Sequence, residues 1–433
     1  MSGPPARVAV LGGGFAGIYA ASYLAAAELP EGAAEITLVS DRNYFTFTPL
    51  LAEVVGGALG REDVTLALPV LAAQRGFRFR QACVEGIDAD RRVIETSLGP
   101  VPFDYAVVAL GARPRYFGNE ELERHSLPLT SVRDALAIRE RLIRNAEAAS
   151  RESDPERRQR LLTVCVAGAG PAGVEVAAEA RHLLGSVLPR YYPADAEARI
   201  VILQGGVGIL PGWNPELATA GLEILRRRGI EVHLETLVRG FDGRTVRAST
   251  GEREFAIEAD TLIWTAGTAP GRIDWPADGT PVRRSGHLET DPYLRVAGSD
   301  RVFAAGDMAF REDERSGSPY PAVAPIAINQ GIRAAGNIEN SILGRDLEAY
   351  QAHHAGSIVS LGDGEALVDV LGWTVKGRAA WTMYRLAYLA KLVGTRNKIR
   401  VATSLALSRF FEPDISADRE AAPATEPSPP ATG

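Results

Sequence analysis

The chain has 433 residues, 46% of them hydrophobic and 23% charged, with a net charge of −7. That length exceeds the roughly 250–300 residues one core usually serves, so two or three domains are expected, and the composition excludes a disordered, collagen-like or multi-span membrane chain. The acidic balance argues against nucleic-acid binding. Cys83 and Cys165 are the only cysteines, which excludes a disulfide framework and Cys-rich zinc or iron–sulfur sites.

In chain order, residues 1–7 show no signal-peptide pattern, and no apolar run of about 18–20 residues follows anywhere. Neither a secretory leader nor a membrane-spanning helix is expected. Residues 8–11 are an apolar strand. Gly12-Gly13-Gly14-Phe15-Ala16-Gly17 follows, then an Ala-rich helix to about Glu28 and a second strand at 36–39. This is G-x-G-x-x-G between strand and helix, where the dinucleotide fingerprint requires it. Gly12 permits the tight turn, Gly14 lets a pyrophosphate reach the backbone, and Gly17 lets the helix pack on the strand. The helix N-terminus offers N–H donors and a positive dipole end.

Residues 131–149 have helical periodicity, and Ser131 with Asp134 forms a capping box. The first unit then recurs. A strand at 162–167 leads into Gly168-Ala169-Gly170-Pro171-Ala172-Gly173, a helix from Val174 and a strand at 200–203. Distal pieces match too: residues 104–114 and 260–270 share Asp, Gly and Pro in register, including Gly111 and Gly267. A Gly-Asp pair, Gly306-Asp307, follows a late strand, and a Pro/Ala-rich run leads to a helix ending near Leu343. Between Lys376 and Phe411 there are eight Lys/Arg and no Asp or Glu, leaving 39 basic against 54 acidic residues elsewhere. With Trp381, Tyr384 and Tyr388 at helical spacing beside Arg385 and Lys391, this reads as a basic amphipathic helix lying in a membrane surface. A second candidate helix runs from 397 to 411. Residues 412–433 are Pro-rich, without apolar period, and read as a disordered tail.

The two dinucleotide loops, the Gly-Asp pair and the segment Phe47-Thr48-Pro49-Leu50-Leu51-Ala52-Glu53-Val54 resemble type II NADH dehydrogenases, the single-chain, non-proton-pumping NADH:quinone oxidoreductases. The resemblance spans about residues 7–411. It implies an α/β fold of two Rossmann-like domains, for FAD and NAD(P)H, with a C-terminal amphipathic-helix region. The boundaries are 5–125 and 285–349 for the FAD domain, 126–284 for the NAD(P)H domain with its preceding helix, 350–411 for the membrane and dimer region, and 412–433 for the tail. The implied cofactors are FAD and NADH or NADPH. The implied partners are a quinone, the cytoplasmic face of a membrane as a peripheral protein, and a second copy in a homodimer.

Cofactor-binding residues implied by the resemblance are Gly12, Gly14, Phe15, Ala16, Gly17, Ser40, Asp41, Arg42, Pro49, Leu50, Val84, Ala109, Gly111, Gly168, Gly170, Pro171, Gly173, Gln204, Gly267, Gly306, Asp307, Ala324 and Pro325. Asp307 would meet the flavin's ribityl or pyrophosphate region, and Pro49 and Leu50 its ring. Glu175 is the implied catalytic residue, facing nicotinamide and flavin; as a plain helix-start acid it would gain about 0.3–1 kcal/mol from the dipole. An acid usually follows the second strand to hold a ribose. Here Ser40, with Asp41 beside it, stands in the first unit and Gln204 in the second, so NADH and NADPH both remain open. The family's A-Q-x-x-x-Q motif falls at residues 324–329, where Pro325 and Asn329 replace the glutamines. No Cys pair flanks residues 44–51, which excludes disulfide-reductase chemistry, and both cysteines are read as inert core. His353-His354 is the only histidine pair, and adjacent residues do not share a helix face, so no metal site is expected. The alternatives are a reductase of another acceptor, such as a ferredoxin or small redox protein, and a slow NAD(H)-binding redox sensor.

Overall fold

The computed structural model of the chain describes residues 4–275, 281–313, 317–352, 356–370, 372–408 and 410–416. The pair His353-His354 lies outside them, and so do residues 417–433 of the expected tail.

Two five-stranded parallel sheets carry the fold. The first runs Val302–Ala304, Tyr105–Val108, Ala6–Leu11, Ala34–Ser40, Arg78–Gln81. The second repeats that order with Leu127–Pro128, Thr261–Trp264, Thr163–Ala167, Arg199–Leu203 and Ile230–His233. Parallel strands are covered on both faces and therefore read as unbroken apolar runs; Val8, Val10 and Leu11 are buried, as is all of Thr163–Ala167. In each sheet the strand before the glycine loop is central, pairing on one side with the next strand and on the other with the distal repeat, as in Val8↔Ile36 and Val8↔Tyr105, or Val164↔Ile200 and Val164↔Thr261.

The two distal repeats meet each other. Gly111 and Gly267 both take positive φ, at 69° and 143°, and feed an antiparallel ribbon of Ala112–Pro114 with Thr268–Pro270, in which Arg113 faces Ala269. The chain thus crosses between the sheets on two short strands that brace one another. The helix Val132–Ala149 lies on the second sheet's side and packs against Leu51–Val55 of the first. Its capping box is formed, with Asp134 N–H donating to Ser131 Oγ at 3.2 Å and Ser131 N–H to Asp134 Oδ2 at 2.8 Å.

The C-terminal region is a three-stranded antiparallel sheet, Gly356–Gly362, Glu365–Val370 and Trp373–Gly377, followed by helices Arg378–Lys391 and Thr395–Leu407. Both expected helices are present, but the tyrosines expected on an outward face are turned inward. Tyr384 is 1% exposed and packs with Ala366, Val368 and Ala380. Arg385 also turns inward, to a carboxylate described below. The exposed large apolar side chains here are Met383 and Leu386 on the first helix, Ile399 and Leu407 on the second, then Phe410 and Phe411. Residues 412–416, expected as the start of a disordered tail, lie on the folded body. Glu412 pairs with Arg190, Asp414 sits 3.4 Å from the buried Arg139, and Ile415 packs on the core.

Candidate functional site

The two glycine loops are built alike, and each glycine shows its reason. Gly12 has φ +109°, and a Cβ there would stand 2.1 Å from the Ala109 carbonyl oxygen; Gly168 has φ +97° and would meet Thr265 O at 2.9 Å. A Cβ on Gly17 would lie 1.9 Å from Gly12 O, and one on Gly173 would lie 2.0 Å from Gly168 O. These four positions close the turn and seat the helix against it. The middle glycines differ: around Gly14 and around Gly170 a Cβ would meet nothing within 4 Å. Each is the N-cap of its helix, Phe15–Ala26 and Pro171–His182, with no side chain capping it. The result is two open cradles lined by unclaimed N–H donors at a positive dipole end, which is the arrangement a pyrophosphate fills.

Around the first cradle, Phe15 and Ala16 open the helix, and Ala109 N–H binds Leu11 O at 2.8 Å beside it. At Gly306, with φ +65°, an added Cβ would stand 3.3 Å from Ala327 Cβ and 3.4 Å from Ala16 Cβ. The Gly306 N–H donates at 2.8 Å to Gln330 Oε1, whose side chain is buried. Gly331 lets the helix Ala324–Leu343 press onto the backbone of Ala16, since a Cβ there would lie 2.3 Å from Ala16 O. Asp307 follows in a half-buried position, and among the described residues its carboxylate takes no hydrogen bond; burial alone pushes its pKa up from the usual range. A desolvated acid without donors is costly, and a ligand bearing hydroxyls would supply them. Pro49 and Leu50 sit in the turn Thr48–Leu50, with Leu50 buried. Ala324 and Pro325 start their helix half-buried, Val84 begins the strand Val84–Asp88, and Asn329 turns away into a cleft beside Tyr23 and Arg333.

The residues after the second strands behave differently in the two units. Ser40 is buried against Gly13, while Asp41 and Arg42 are exposed and 3.7 Å apart. Gln204 ties the loop that follows its strand to the second glycine loop. Its Oε1 accepts Ala169 N–H at 2.9 Å and its Nε2 donates to Gly208 O at 3.2 Å. Beyond it lies a cleft of about 420 Å³ walled by Val207, Leu210, Trp213, Leu222 and Leu234, with no charged side chain among the described lining residues.

Glu175 is 8% exposed in the first turns of Pro171–His182, and its Oε1 accepts Ser360 N–H at 3.0 Å. Burial pushes its pKa well up, and Glu53 and Glu179 push the same way. Glu53, from the helix Leu51–Val55, is 1% exposed and takes Arg385 Nη1–H on Oε2 at 2.8 Å, while its Oε1 has no partner. A file of aromatic contacts runs alongside: Phe45 to Phe15 at 4.9 Å, Phe15 to Phe47 at 5.6 Å, Phe47 to Tyr388 at 6.0 Å and Tyr388 to Tyr384 at 4.6 Å. The first loop, the second loop's helix and the C-terminal helix therefore converge on one place.

Residues 6–331 match the pyridine nucleotide-disulphide oxidoreductase family. The chain is 31% identical over 411 residues to the type II NADH:quinone oxidoreductase NdhA of Mycobacterium tuberculosis, covering 91% of this chain and 85% of that one. The chain belongs to the type II NADH:quinone oxidoreductases. A Staphylococcus aureus member is 28% identical over 402 residues, covering 91% of this chain and 96% of that one. The structure of NDH2 from Plasmodium falciparum in complex with NADH superposes with a TM-score of 0.86 at 18% identity, covering 95% and 99% of the two chains. A sulfide:quinone oxidoreductase from Aquifex aeolicus has the same fold at a TM-score of 0.69 and 19% identity, covering 97% and 100%.

Within this type II enzyme the cysteines stand apart from that convergence. Cys165 is wholly buried in its strand, where burial pushes its thiol up to about 12. Cys83 departs from the expectation of core: it is exposed, between the strands Arg78–Gln81 and Val84–Asp88. Among the described residues no group of His, Cys, Asp and Glu is placed to hold a metal, and no helix is long and apolar enough to cross a membrane. Sequence reasoning missed Glu53, Glu179, Gln330 and the inward role of Arg385. Glu53 was visible inside the quoted Pro49–Val54 segment, but its partner lies 332 residues away.

Proposed function

We propose that this type II enzyme binds FAD in the first cradle and NADH in the second, oxidises NADH, and passes the electrons to a membrane quinone. The observation that carries the reading is the pair of open cradles at Gly14 and Gly170 in otherwise tightly closed loops, joined to family membership. Gly12, Gly14, Gly17 and the Phe15–Ala26 helix N-terminus would hold the flavin pyrophosphate, and Asp307 its hydroxyls. When bound, the flavin supplies the hydride acceptance from nicotinamide and the electron release to an acceptor; no protein nucleophile is needed.

The chain's own residues position and insulate. The crossing ribbon of Ala112–Pro114 and Thr268–Pro270 would hold the two cradles relative to one another, the kind of positioning that hydride transfer depends on. Gln330 holds the Gly306 turn that presents Asp307. Glu175 stands at the second cradle's helix, desolvated and held by Ser360. The charge-free cleft beyond Gln204 favours NADH over NADPH, because a 2′-phosphate would find no cation there. The exposed apolar side chains of Met383, Leu386, Ile399, Phe410 and Phe411, with the exposed Lys376, Arg378, Lys391 and Arg396 in the same region, fit a peripheral membrane contact on the cytoplasmic face. Dimer formation would use the same C-terminal region. The test is turnover of the yellow holoenzyme with NADH and a soluble quinone analogue; NADH consumption without quinone reduction would reject the reading.

A further inference from the structure

The chain leaves its last helix at Phe410 and Phe411, both exposed, and at once lies down on the body. Glu412 pairs with Arg190. Asp414 Oδ2 stands 3.4 Å from Arg139 Nη2. Between them Pro413 covers the turn at Gly57, which has φ +80°. A Cβ on Gly57 would meet Pro413 Cβ at 2.9 Å, the Asp414 carbonyl oxygen at 3.6 Å and Arg139 Nε at 3.7 Å. Ser416 N–H donates to Asp414 Oδ1 at 2.9 Å, and Ile415 packs on the core. Residues 412–416 are therefore a strap laid over Arg139.

The strap serves Arg139 poorly. This arginine comes from the middle of the helix Val132–Ala149, which packs on Leu51–Val55, and its side chain is 9% exposed. Its Nε and Nη2 find no hydrogen-bond acceptor among the described residues, where Asp414 is the one carboxylate within ion-pair reach. A buried guanidinium is costly unless it is both paired and hydrogen-bonded. A single oxygen at 3.4 Å is a weak match for a planar fork of donors that takes two oxygens side by side.

We propose that Arg139 and Arg190 form a binding site for the phosphate of an anionic lipid headgroup, and that Asp414 and Glu412 occupy it until the protein meets a membrane. The inference rests on the membrane contact proposed above. A phosphate presents several oxygens, so it satisfies the Nε and Nη2 donors of Arg139 together where Asp414 does not. The site is also in the right place. Asp414 is three residues from the exposed Phe411, which is at most about 11 Å of backbone. The stretch from Lys376 to Phe411 leading to it carries eight basic and no acidic residues, whereas residues 412–433 carry five acidic and one basic. The strap is thus the chain's own stand-in for the lipid, and it lowers the apparent lipid affinity by the fraction of time it is closed.

The experiment is co-sedimentation of full-length holoenzyme with vesicles of mixed phosphatidylglycerol and phosphatidylcholine, beside vesicles of phosphatidylcholine alone, with the unfolding midpoint of each variant as a check on folding. Asp414→Asn opens the site. It should tighten binding to the anionic vesicles by about tenfold or more beyond Asp418→Asn, which removes one charge of the same tail outside the strap. Arg139→Gln should weaken binding and cancel the gain when combined with Asp414→Asn. Arg139→Lys keeps the charge and loses the fork, so it should restore only part. Arg190→Gln, at the exposed end, should weaken binding in the same direction and carries the test if Arg139→Gln does not fold. Inorganic phosphate at matched ionic strength should leave the bound fraction unchanged. Equal gains from Asp414→Asn and Asp418→Asn, a gain that survives in the double variant, or the same gain on neutral vesicles overturns the site. Release of wild type by inorganic phosphate overturns the lipid assignment in favour of free phosphate. Failure of wild type to sediment with anionic vesicles overturns the membrane contact as well.

Discussion

Gly14 and Gly17 stand three residues apart in one loop, and enlarging them should cost flavin in both cases but stability only at Gly17. Gly14 has φ −85° and ψ −168°, extended backbone open to any residue, and a Cβ there meets nothing within 4 Å. Gly14→Val should therefore leave the stability of the flavin-free protein within about 0.5 kcal/mol of wild type, as for an exposed substitution that breaks nothing. Its two methyls would stand where a pyrophosphate must reach the backbone, so the purified protein should hold less than about a tenth of the wild-type flavin. At Gly17 the added atom would lie 1.9 Å from Gly12 O, against ordinary contact at 3.4–4 Å. The helix Phe15–Ala26 would have to retreat by about 1.5 Å from the turn it caps, and overpacking of this kind costs about 1–3 kcal/mol. Gly17→Ala should lose flavin and lower the unfolding midpoint of the flavin-free protein together. The assay is flavin absorbance per protein on purified variants, beside thermal unfolding of flavin-free samples. Stoichiometric flavin in Gly14→Val would refute the cradle assignment; a Gly17→Ala midpoint equal to wild type would refute the packing argument.

Gly170→Val should keep the flavin and lose NADH binding, measured by titration of the holoenzyme. Gln204→Glu puts a carboxylate oxygen beside Gly208 O in place of a donor, so it should loosen the loop, cost about 1–3 kcal/mol locally and weaken NADH and NADPH binding alike; a Kd ratio shifted by tenfold toward NADH would contradict this. Arg385→Leu leaves Glu53 buried without its cation and should lower stability by up to about 3–5 kcal/mol by denaturation, whereas the pair Glu53→Gln with Arg385→Leu should recover most of it. Leu386→Ser with Ile399→Ser and Phe411→Ser should abolish co-sedimentation with anionic vesicles while leaving the unfolding midpoint in place.

The parts legible in the sequence are those fixed by local backbone demands. Gly12, Gly17, Gly168 and Gly173 are glycine because a neighbouring carbonyl lies where a Cβ would be, so their spacing announces the loops. The repeat of residues 104–114 at 260–270 was visible too, because both copies must turn at a glycine; that they pair with each other was not, since pairing over such a separation leaves no local pattern. The C-terminal helix was legible as amphipathic, yet its inward face was misassigned. Aromatic residues suit a membrane interface and a small core equally, and Arg385 reads as a surface charge until Glu53, 332 residues earlier, is seen to receive it. Gln204 shows the same limit: its position after the strand is plain, but one end of its carboxamide is taken by Ala169 N–H of the second glycine loop, 35 residues earlier, and the other by Gly208 O of its own loop.

The most direct test of the central claim is an anaerobic mixing experiment in which NADH oxidised and soluble quinone reduced are counted against one another on the same flavin-replete sample. One quinone should be reduced for each NADH oxidised, with full reduction of the flavin preceding it, and NADPH should reduce the flavin at least about tenfold more slowly. NADH oxidation that needs a protein acceptor instead of quinone, or flavin that NADH leaves oxidised, would contradict the quinone reading.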